Sequence, residues 1–462
     1  MQSEKQRQVR NSEGGTGMVV WLIGIVGILL GTVEQFLVNE SRMVAGVILI
    51  AGCALLFRIR KSKYKLQVWQ LWLIRVVTAL HLIGVFSDRW LIYTGLGVLT
   101  AVAGIVLTVF GLLKHKTKHP IAKVGESAFS VMAGLLAFVI LGITFFPKAS
   151  FSVFKTAINA YGNVTSAESY EETLENGSRM IANIQYDTVY PNGFLDVYYT
   201  ATPRSENPPT LLFIHGGGYA NGDKSSGDPN AGEVDYRDSL AYRALNEGYN
   251  VVQFNYCLMT EHIFPDAIIQ LNSGLKYLKD HAAELGLNMD AVFLSGGSAG
   301  GNLAGVMANL QTNPEYAAEM GITPALDSDD IRGVVFISAL LDNSQYGVTH
   351  NVVIDYMFYW AGRVYLNTND LVYDKEASRL SNVIDNVSAN YPPALISDGN
   401  SGSFFDQAFA MNARLIELGV ECKLIYYPKT VATLAHGYED LGSDYAKLTQ
   451  DRMIEFMNAH AD

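Results

Sequence analysis

The feature that most restricts the fold of this chain is a glycine-rich turn between a strand pattern and a helix pattern. The apolar run 291–295 leads into Gly-Gly-Ser-Ala-Gly at 296–300, and residues 301–310 follow with a helical pattern. The glycines around Ser298 permit a turn that is too sharp for residues with larger side chains. Such a turn lifts the serine hydroxyl to a place that another molecule can reach. The order strand, Gly-x-Ser-x-Gly, helix therefore predicts a nucleophilic serine on an α/β sheet.

Two further segments strengthen this interpretation. The apolar strand 210–214 runs into His-Gly-Gly-Gly at 215–218, and a glycine run after a strand leaves backbone N–H groups uncovered. Uncovered N–H groups are what an oxyanion hole requires. Downstream, the strand 420–427 is followed by a loop that carries His436. Because the order serine then histidine is typical of α/β-hydrolases, the three segments together predict a serine hydrolase.

The stretch Tyr256–Ala267 carries a more specific signal. It reads Tyr-Cys-Leu-Met-Thr-Glu-His-Ile-Phe-Pro-Asp-Ala and resembles the Tyr-x-Leu-x-x-Glu-His-x-Phe-Pro-x-Ala stretch of hormone-sensitive-lipase-like esterases. Those α/β-hydrolases also carry the His-Gly-Gly-Gly motif and a Gly-x-Ser-Ala-Gly turn. The resemblance covers roughly residues 185 to 460. In that family Glu261 and His262 fall in a structural motif, so we expect them to support the site without touching substrate.

The resemblance implies a reaction and a set of residues. It implies hydrolysis of carboxylic esters through an acyl-enzyme, with Ser298 as nucleophile and His436 as general base. It also implies that the backbone N–H groups of Gly217, Gly218 and Ala299 stabilise the oxyanion.

One position departs from the family pattern. A hydrolase of this type needs an acid that orients the imidazole, and the family places that aspartate shortly after the penultimate strand. Here the expected position holds Gly402. We predict Asp398 as the acid, because it lies at the rigid end of the strand. Asp406, which we expect to cap the next helix, and Asp342, at the end of the preceding strand, remain alternatives.

The N-terminal third of the chain has a different composition. Residues 1–147 carry 15 basic and 6 acidic residues, whereas the remainder carries 18 basic and 39 acidic residues. Long runs of this region are almost free of charge, and about 20 apolar residues suffice to span a bilayer. The sequence predicts an all-α transmembrane bundle of about five helices, at 18–34, 43–57, 67–86, 90–113 and 128–146. The second run is short enough to lie at the membrane interface instead.

The basic residues of this region alternate between loops. The N-terminal tail, the segment 58–65 and the segment 114–123 carry twelve of them, whereas the two intervening loops carry only Arg42 and Arg89. Positive charge is concentrated in cytoplasmic loops. We therefore predict an integral protein of the cell membrane with a cytoplasmic N-terminus and an extracytoplasmic hydrolase domain. If 43–57 did not span, the domain would lie on the other side.

The remaining residues are assigned as follows. We predict a linker and helix at 148–185, and an α/β-hydrolase domain at 186–462 with a mostly parallel sheet and helices on both faces. The aromatic segment 343–390 is interpreted as a cap insertion over Ser298. The three cysteines show no metal-ligand spacing, so neither a metal nor a cofactor is expected.

The expected partners are a small or medium ester and, through the N-terminal helices, a lipid bilayer. The acidic domain is unsuited to nucleic acid. Two alternatives to an esterase remain. One is a serine peptidase or amidase with the same fold, and the other is a catalytically inactive hydrolase fold that acts as a receptor or scaffold.

Overall fold

The computed structural model describes residues 18, 20–29, 68–84, 90–114, 120–158, 160, 162–224, 238–371 and 374–461. The chain divides into two compact units, Met1–Ser150 and Phe151–Asp462, and the predicted boundary after residue 147 lies three residues before this division. The predicted helix 43–57 lies outside the described residues.

The described part of the first unit is helical. Its helices are α1 (described over Val20–Leu29), α2 (Val68–Gly84), α3 (Trp90–Lys114) and α4 (Pro120–Phe145). Helix α4 begins eight residues before the predicted start at residue 128. Pro120 occupies its first position, where a missing N–H costs no hydrogen bond. Because its first turns contain the charged residues Lys123 and Glu126, the uncharged run in the sequence begins later than the helix does.

Helices α1 and α3 approach each other closely through glycines. A Cβ atom on Gly104 of α3 would lie 2.5 Å from the backbone nitrogen of Ile28 in α1. Helix α1 also contacts α4, through a hydrogen bond of 2.7 Å from Trp21 Nε1 to Ser130 Oγ. By length and composition, Lys123–Phe145 is the only helical segment in the described part of the chain that suffices to cross a membrane. The apolar stretches Val20–Leu29, Val68–Val77 and Val98–Leu113 are shorter.

The second unit is built on a nine-stranded sheet, and the fold class predicted for this part of the chain, an α/β-hydrolase sheet, is confirmed. The strand order is β1-β2-β3-β5-β4-β6-β7-β8-β9. Strands β1 to β3 and the β3–β5 pair are antiparallel, whereas β5, β4, β6, β7, β8 and β9 are parallel. The bounds are β1 Tyr170–Thr173, β2 Arg179–Gln185, β3 Phe194–Tyr199, β4 Pro209–Ile214, β5 Asn250–Phe254, β6 Asn288–Gly297, β7 Ile331–Ile337, β8 Ala394–Ser397 and β9 Cys422–Ile425.

Helices lie between the parallel strands, before β1 and after β9. They are α5 (Pro147–Ala157), α6 (Leu240–Asn246), α7 (Asp266–Asp280), α8 (Ala282–Leu285), α9 (Ala299–Thr312), α10 (Pro314–Met320), α11 (Val352–Tyr365), α12 (Lys375–Arg379), α13 (Val383–Asn386), α14 (Phe405–Glu417) and α15 (Asp444–Ala459). The central strands are buried on both sides, as parallel strands between helices are. Helices α6 and α15 pack on one face, where Phe293 of β6 and Phe456 of α15 belong to one apolar core.

The predicted linker 148–185 is wrong in its second half. Residues 170–185 form β1, β2 and their turn, and β2 pairs with β3. All four residues of β1 are exposed, because β1 is the outer strand of the sheet. A strand with neither face buried shows no alternation of apolar and polar residues, so its sequence is that of a polar linker.

The core predicts a measurable stability difference. Phe456 is fully buried, whereas Phe409 of α14 is 43% exposed. We expect Phe456→Ala to lower the free energy of unfolding by about 3–5 kcal/mol, because it leaves a cavity in the core. The matched change Phe409→Ala should cost less than about 1 kcal/mol. Urea unfolding followed by tryptophan fluorescence measures both values, and equal losses would contradict this assignment of the core.

Candidate active site

Ser298 lies in a strained turn at the end of β6, near the middle of the sheet. Its φ of 55° and ψ of −119° are outside the regions that side-chain-bearing residues usually adopt. The next residue, Ala299, begins α9. A Cβ atom on Gly296 would lie 2.4 Å from the carbonyl carbon of Gly300, so only glycine fits there. The predicted turn is therefore present, and it exposes the Ser298 hydroxyl beyond the strand end.

His436 meets Ser298 from the loop that follows β9. Its Nε2 atom is 3.0 Å from Ser298 Oγ, which is hydrogen-bond distance. A hydrogen bond fixes this loop to the end of β7, since the Gly437 N–H donates to Ser338 Oγ at 3.0 Å. Burial lowers the pKa of His436 to about 4. At neutral pH the imidazole is therefore uncharged and able to accept a proton.

The predicted acid, Asp398, does not contact His436 directly. The Nδ1 atom of His436 lies 2.8 Å from Ser403 Oγ, and the Ser403 hydroxyl donates to Asp398 Oδ1. Sequence reasoning missed Ser403. The available signal was its position, directly after Gly402, where the family pattern has its aspartate. Burial raises the pKa of Asp398 well above its usual value, and the hydrogen bond from Ser403 opposes that rise.

The two alternative acids have other partners. Asp406 lies in the first turn of α14, whose cap position is Phe404, so the predicted capping role is wrong. Its carboxylate is 2.6 Å from His350 Nε2, and both side chains are exposed. Asp342 accepts hydrogen bonds from the N–H and the hydroxyl of Ser344, at 2.9 and 2.7 Å. It caps a 3₁₀ turn.

The glycine loop after β4 presents free backbone donors. Within the described residues, the N–H groups of Gly217 and Gly218 have no hydrogen-bond acceptor. Gly217 has a φ of +97°, and a Cβ atom there would lie 2.0 Å from the carbonyl oxygen of Asn221. The N–H of Ala299 opens α9, where first-turn N–H groups lack helical partners. These three donors are the predicted oxyanion groups.

A cavity of about 530 Å³ contains Ser298 and His436. Most of its wall is apolar, and two helices contribute large side chains to it. Helix α11, within the predicted cap 343–390, supplies Met357, Phe358 and Trp360, while α5 and the residue after it supply Phe151, Phe154 and Ile158. The rings of Phe151 and Trp360 pack edge to face with their centroids 4.9 Å apart. The contribution of α5 was not predicted.

Glu261 and His262 make contacts with other supporting residues. Glu261 Oε2 lies 3.8 Å from Lys155 Nζ, and this amine also donates to the carbonyl oxygen of Met259. His262 Nδ1 is 3.2 Å from Asp266 Oδ2 at the start of α7. These contacts tie the loop after β5 to α5 and α7, beside the cavity.

Comparison with known proteins identifies the class of enzyme. The sequence model of the BD-FAE family matches residues 195–410. "Carboxylesterase NlhH" of Mycobacterium tuberculosis is 24% identical over 303 residues, which are 63% of this chain and 87% of that protein. "Ethyl acetate hydrolase" of Pseudomonas putida is 26% identical over 238 residues, which are 50% of this chain and 67% of that protein.

A solved structure shares the fold. Esterase B from Lactobacillus rhamnosis superimposes with a TM-score of 0.52 at 20% sequence identity, over 68% of this chain and 92% of that one. The chain is a carboxylesterase-type hydrolase.

The glycine loop after β4 can be tested by substitution of Gly217, with Gly419 as the control position. Gly217→Ala forces a Cβ atom against Asn221 and displaces the loop, so we expect kcat to fall at least about 100-fold, the usual effect of losing one oxyanion donor. Gly419 also has a positive φ, of 75°, but nothing lies within 4 Å of a Cβ atom there. Gly419→Ala should cost about 1 kcal/mol of stability and leave kcat unchanged. Steady-state kinetics and thermal unfolding of both variants check this, and equal kcat values would contradict the assignment.

Proposed function

We propose that the chain is a membrane-anchored serine esterase that hydrolyses small or medium carboxylic esters through an acyl-enzyme on Ser298. The observation that carries the proposal is the 3.0 Å contact between Ser298 Oγ and His436 Nε2 in an apolar cavity with free N–H donors. The likeness of Tyr256–Ala267 to the hormone-sensitive-lipase-like esterases supports the same assignment.

The proposed reaction has two halves. Ser298 Oγ attacks the ester carbonyl carbon while its proton passes to His436 Nε2, and the carbonyl oxygen becomes an oxyanion held by Gly217, Gly218 and Ala299. The intermediate collapses, the carbon–oxygen bond to the alcohol breaks, and His436 returns the proton to the departing alkoxide. A water molecule then attacks the acyl-enzyme in the same way, with His436 first taking and then giving a proton. The acid is released and Ser298 is regenerated.

The size and lining of the cavity support a substrate with a small, apolar acyl or alcohol group. Its volume of about 530 Å³ lies within the usual range for small-molecule sites, and its mostly apolar wall includes several aromatic side chains. Ethyl acetate is the substrate named for the Pseudomonas relative. Esterase B from Lactobacillus rhamnosis was crystallised with a tributyrin phosphonate inhibitor. Both compounds are short-chain, in keeping with a small or medium ester.

Membrane anchoring is supported by the surface of the first unit. Helix α4 exposes a band of large apolar side chains, which would be costly in water: Ile121, Val124, Val131, Met132, Leu135, Phe138 and Val139. The glycine contact between α1 and α3 is the packing that membrane helices favour, because lipid offers no hydrophobic reward for burying larger side chains. These features support the proposed membrane anchor, and the alternation of basic loops separately predicts five spans and an extracytoplasmic hydrolase unit.

Removing the nucleophile tests the chemistry. We expect Ser298→Ala to abolish turnover of p-nitrophenyl esters, by several powers of ten, because the covalent step is lost. The matched variant Ser295→Ala, which removes a buried hydroxyl bonded to the Val335 carbonyl, should retain kcat. A fluorophosphonate probe should label the unaltered chain and the Ser295 variant but not the Ser298 variant.

The same assay separates the alternatives. Turnover of short esters without turnover of matched p-nitroanilides supports an esterase, whereas preferred amide turnover would indicate an amidase. Absence of both probe labelling and turnover in the folded, unaltered chain would indicate an inactive scaffold.

Topology has a separate test. Protease added to intact cells should release a fragment close to Phe151–Asp462 and leave the basic 58–65 segment protected. The positive-inside rule places that segment in the cytoplasm. A tag at the N-terminus, expected to be protected, serves as the internal control. If the hydrolase unit is cut only after lysis, the five-span topology is wrong.

A further inference from the structure

The link between His436 and Asp398 passes through a serine hydroxyl. His436 Nδ1 lies 2.8 Å from Ser403 Oγ, and Ser403 donates to Asp398 Oδ1. Ser403 and Asp398 are each 1% exposed, so bulk water does not compete for these bonds. The ring of Phe404 covers the imidazole edge to face, at 5.2 Å between centroids.

The direction of the two hydrogen bonds in this link determines which nitrogen of His436 carries the hydrogen. A serine hydroxyl carries one proton, and an ionised Asp398 can only accept, so Ser403 donates that proton to the carboxylate. The oxygen of Ser403 is then left as an acceptor, so Nδ1 of His436 must carry the hydrogen that reaches it. With Nδ1 protonated, the lone pair of the neutral ring is on Nε2, which faces Ser298. The carboxylate thus selects, through the hydroxyl, the tautomer that acts as a base.

The backbone around Ser403 holds it in place. Asn400 donates from Nδ2 to the carbonyl oxygens of Tyr427 and Ala432, each at 2.7 Å. The N–H groups of Asn400 and Ser401 both donate to the Leu434 carbonyl, at 2.8 and 3.0 Å. The loop after β8 is therefore bonded directly to the loop that carries His436.

A second buried carboxylate lies nearby and is already occupied. Glu439 is fully buried, and its two oxygens accept hydrogen bonds from Ser397 at 2.7 Å and Ser338 at 2.9 Å. It belongs to the turn beneath His436. Asp398 is thus the carboxylate that is linked to the imidazole.

We propose that Ser403 is a positioning residue that transmits the orienting effect of Asp398 to His436, replacing the direct carboxylate–imidazole contact. This inference rests on the proposed function, since it concerns the base of that reaction. Ser403 keeps its own proton throughout, and no bond to it forms or breaks. The site consequently needs a hydroxyl at 403 and a carboxylate at 398 together.

The first test compares two buried serines. We expect Ser403→Ala to lower kcat for a p-nitrophenyl ester at least about 100-fold with KM changed less than about threefold, because the base loses its orientation while the cavity is untouched. Ser295→Ala is the matched control and should keep kcat. Thermal unfolding of both verifies that the fold persists. A folded Ser403→Ala enzyme with kcat within about threefold of the unaltered chain overturns the proposal.

A double exchange provides the second test. Asp398→Ser alone should lose activity to a similar extent. Asp398→Ser combined with Ser403→Asp moves the carboxylate next to His436 and conserves the side-chain atoms of the pair. If the roles are as proposed, the double variant should have at least about tenfold higher kcat than Asp398→Ser. Equal kcat values in the two overturn the proposal, even if Ser403→Ala fails to fold.

The experiments distinguish a failure of the proposed function from a failure of the role proposed for Ser403. Turnover that survives Ser298→Ala would remove the proposed function itself. Loss of turnover in Ser298→Ala, with full turnover in folded Ser403→Ala, would remove only the role of Ser403.

Discussion

The site depends on one backbone constraint, the close approach of the β6–α9 turn to the end of β4. A Cβ atom on Gly300 would lie 2.1 Å from the carbonyl oxygen of Ile214, and one on Gly216 would lie 2.9 Å from that of Gly297. The Gly-x-Ser-x-Gly turn and the His-Gly-Gly-Gly loop therefore pack backbone against backbone. This contact sets Ser298 beside the backbone N–H groups of the glycine loop, and it explains why both motifs need glycine where they touch.

The parallel arrangement of the strands brings the other residues of the site together. Strands β4, β6, β8 and β9 run in the same direction, so the loops at their carboxyl ends meet at one edge of the sheet. This is why the sequence could predict that Ser298, His436 and the glycine loop lie close together. Each follows a recognisable apolar strand, and the topology brings the strand ends together without further information.

The features that sequence did not reveal depend on loop paths and on packing between distant segments. Ser403 has an ordinary local sequence, and it lies against His436 because Asn400 and Ser401 bond its loop to the neighbouring loop. The part of α5 in the second unit lies far from Ser298 in sequence, yet Phe151 packs on Trp360 in the cavity wall. Strand β1 was missed because its exposed polar residues carry no strand periodicity. Pattern analysis detects a strand through its buried face, and it has no equivalent signal for a loop.

The hydroxyl link changes what the acid contributes. A carboxylate that touches an imidazole lies roughly 3 Å from it, whereas an intervening hydroxyl increases the separation to roughly 5 Å. With an effective dielectric constant of about 20, the attraction between full charges falls from about 5.5 to about 3.3 kcal/mol. Selection of the tautomer is undiminished, because it depends on the direction of two hydrogen bonds and not on distance. In the proposed reaction Asp398 would therefore orient His436 more than it would stabilise its cation, in keeping with a His436 pKa that burial lowers.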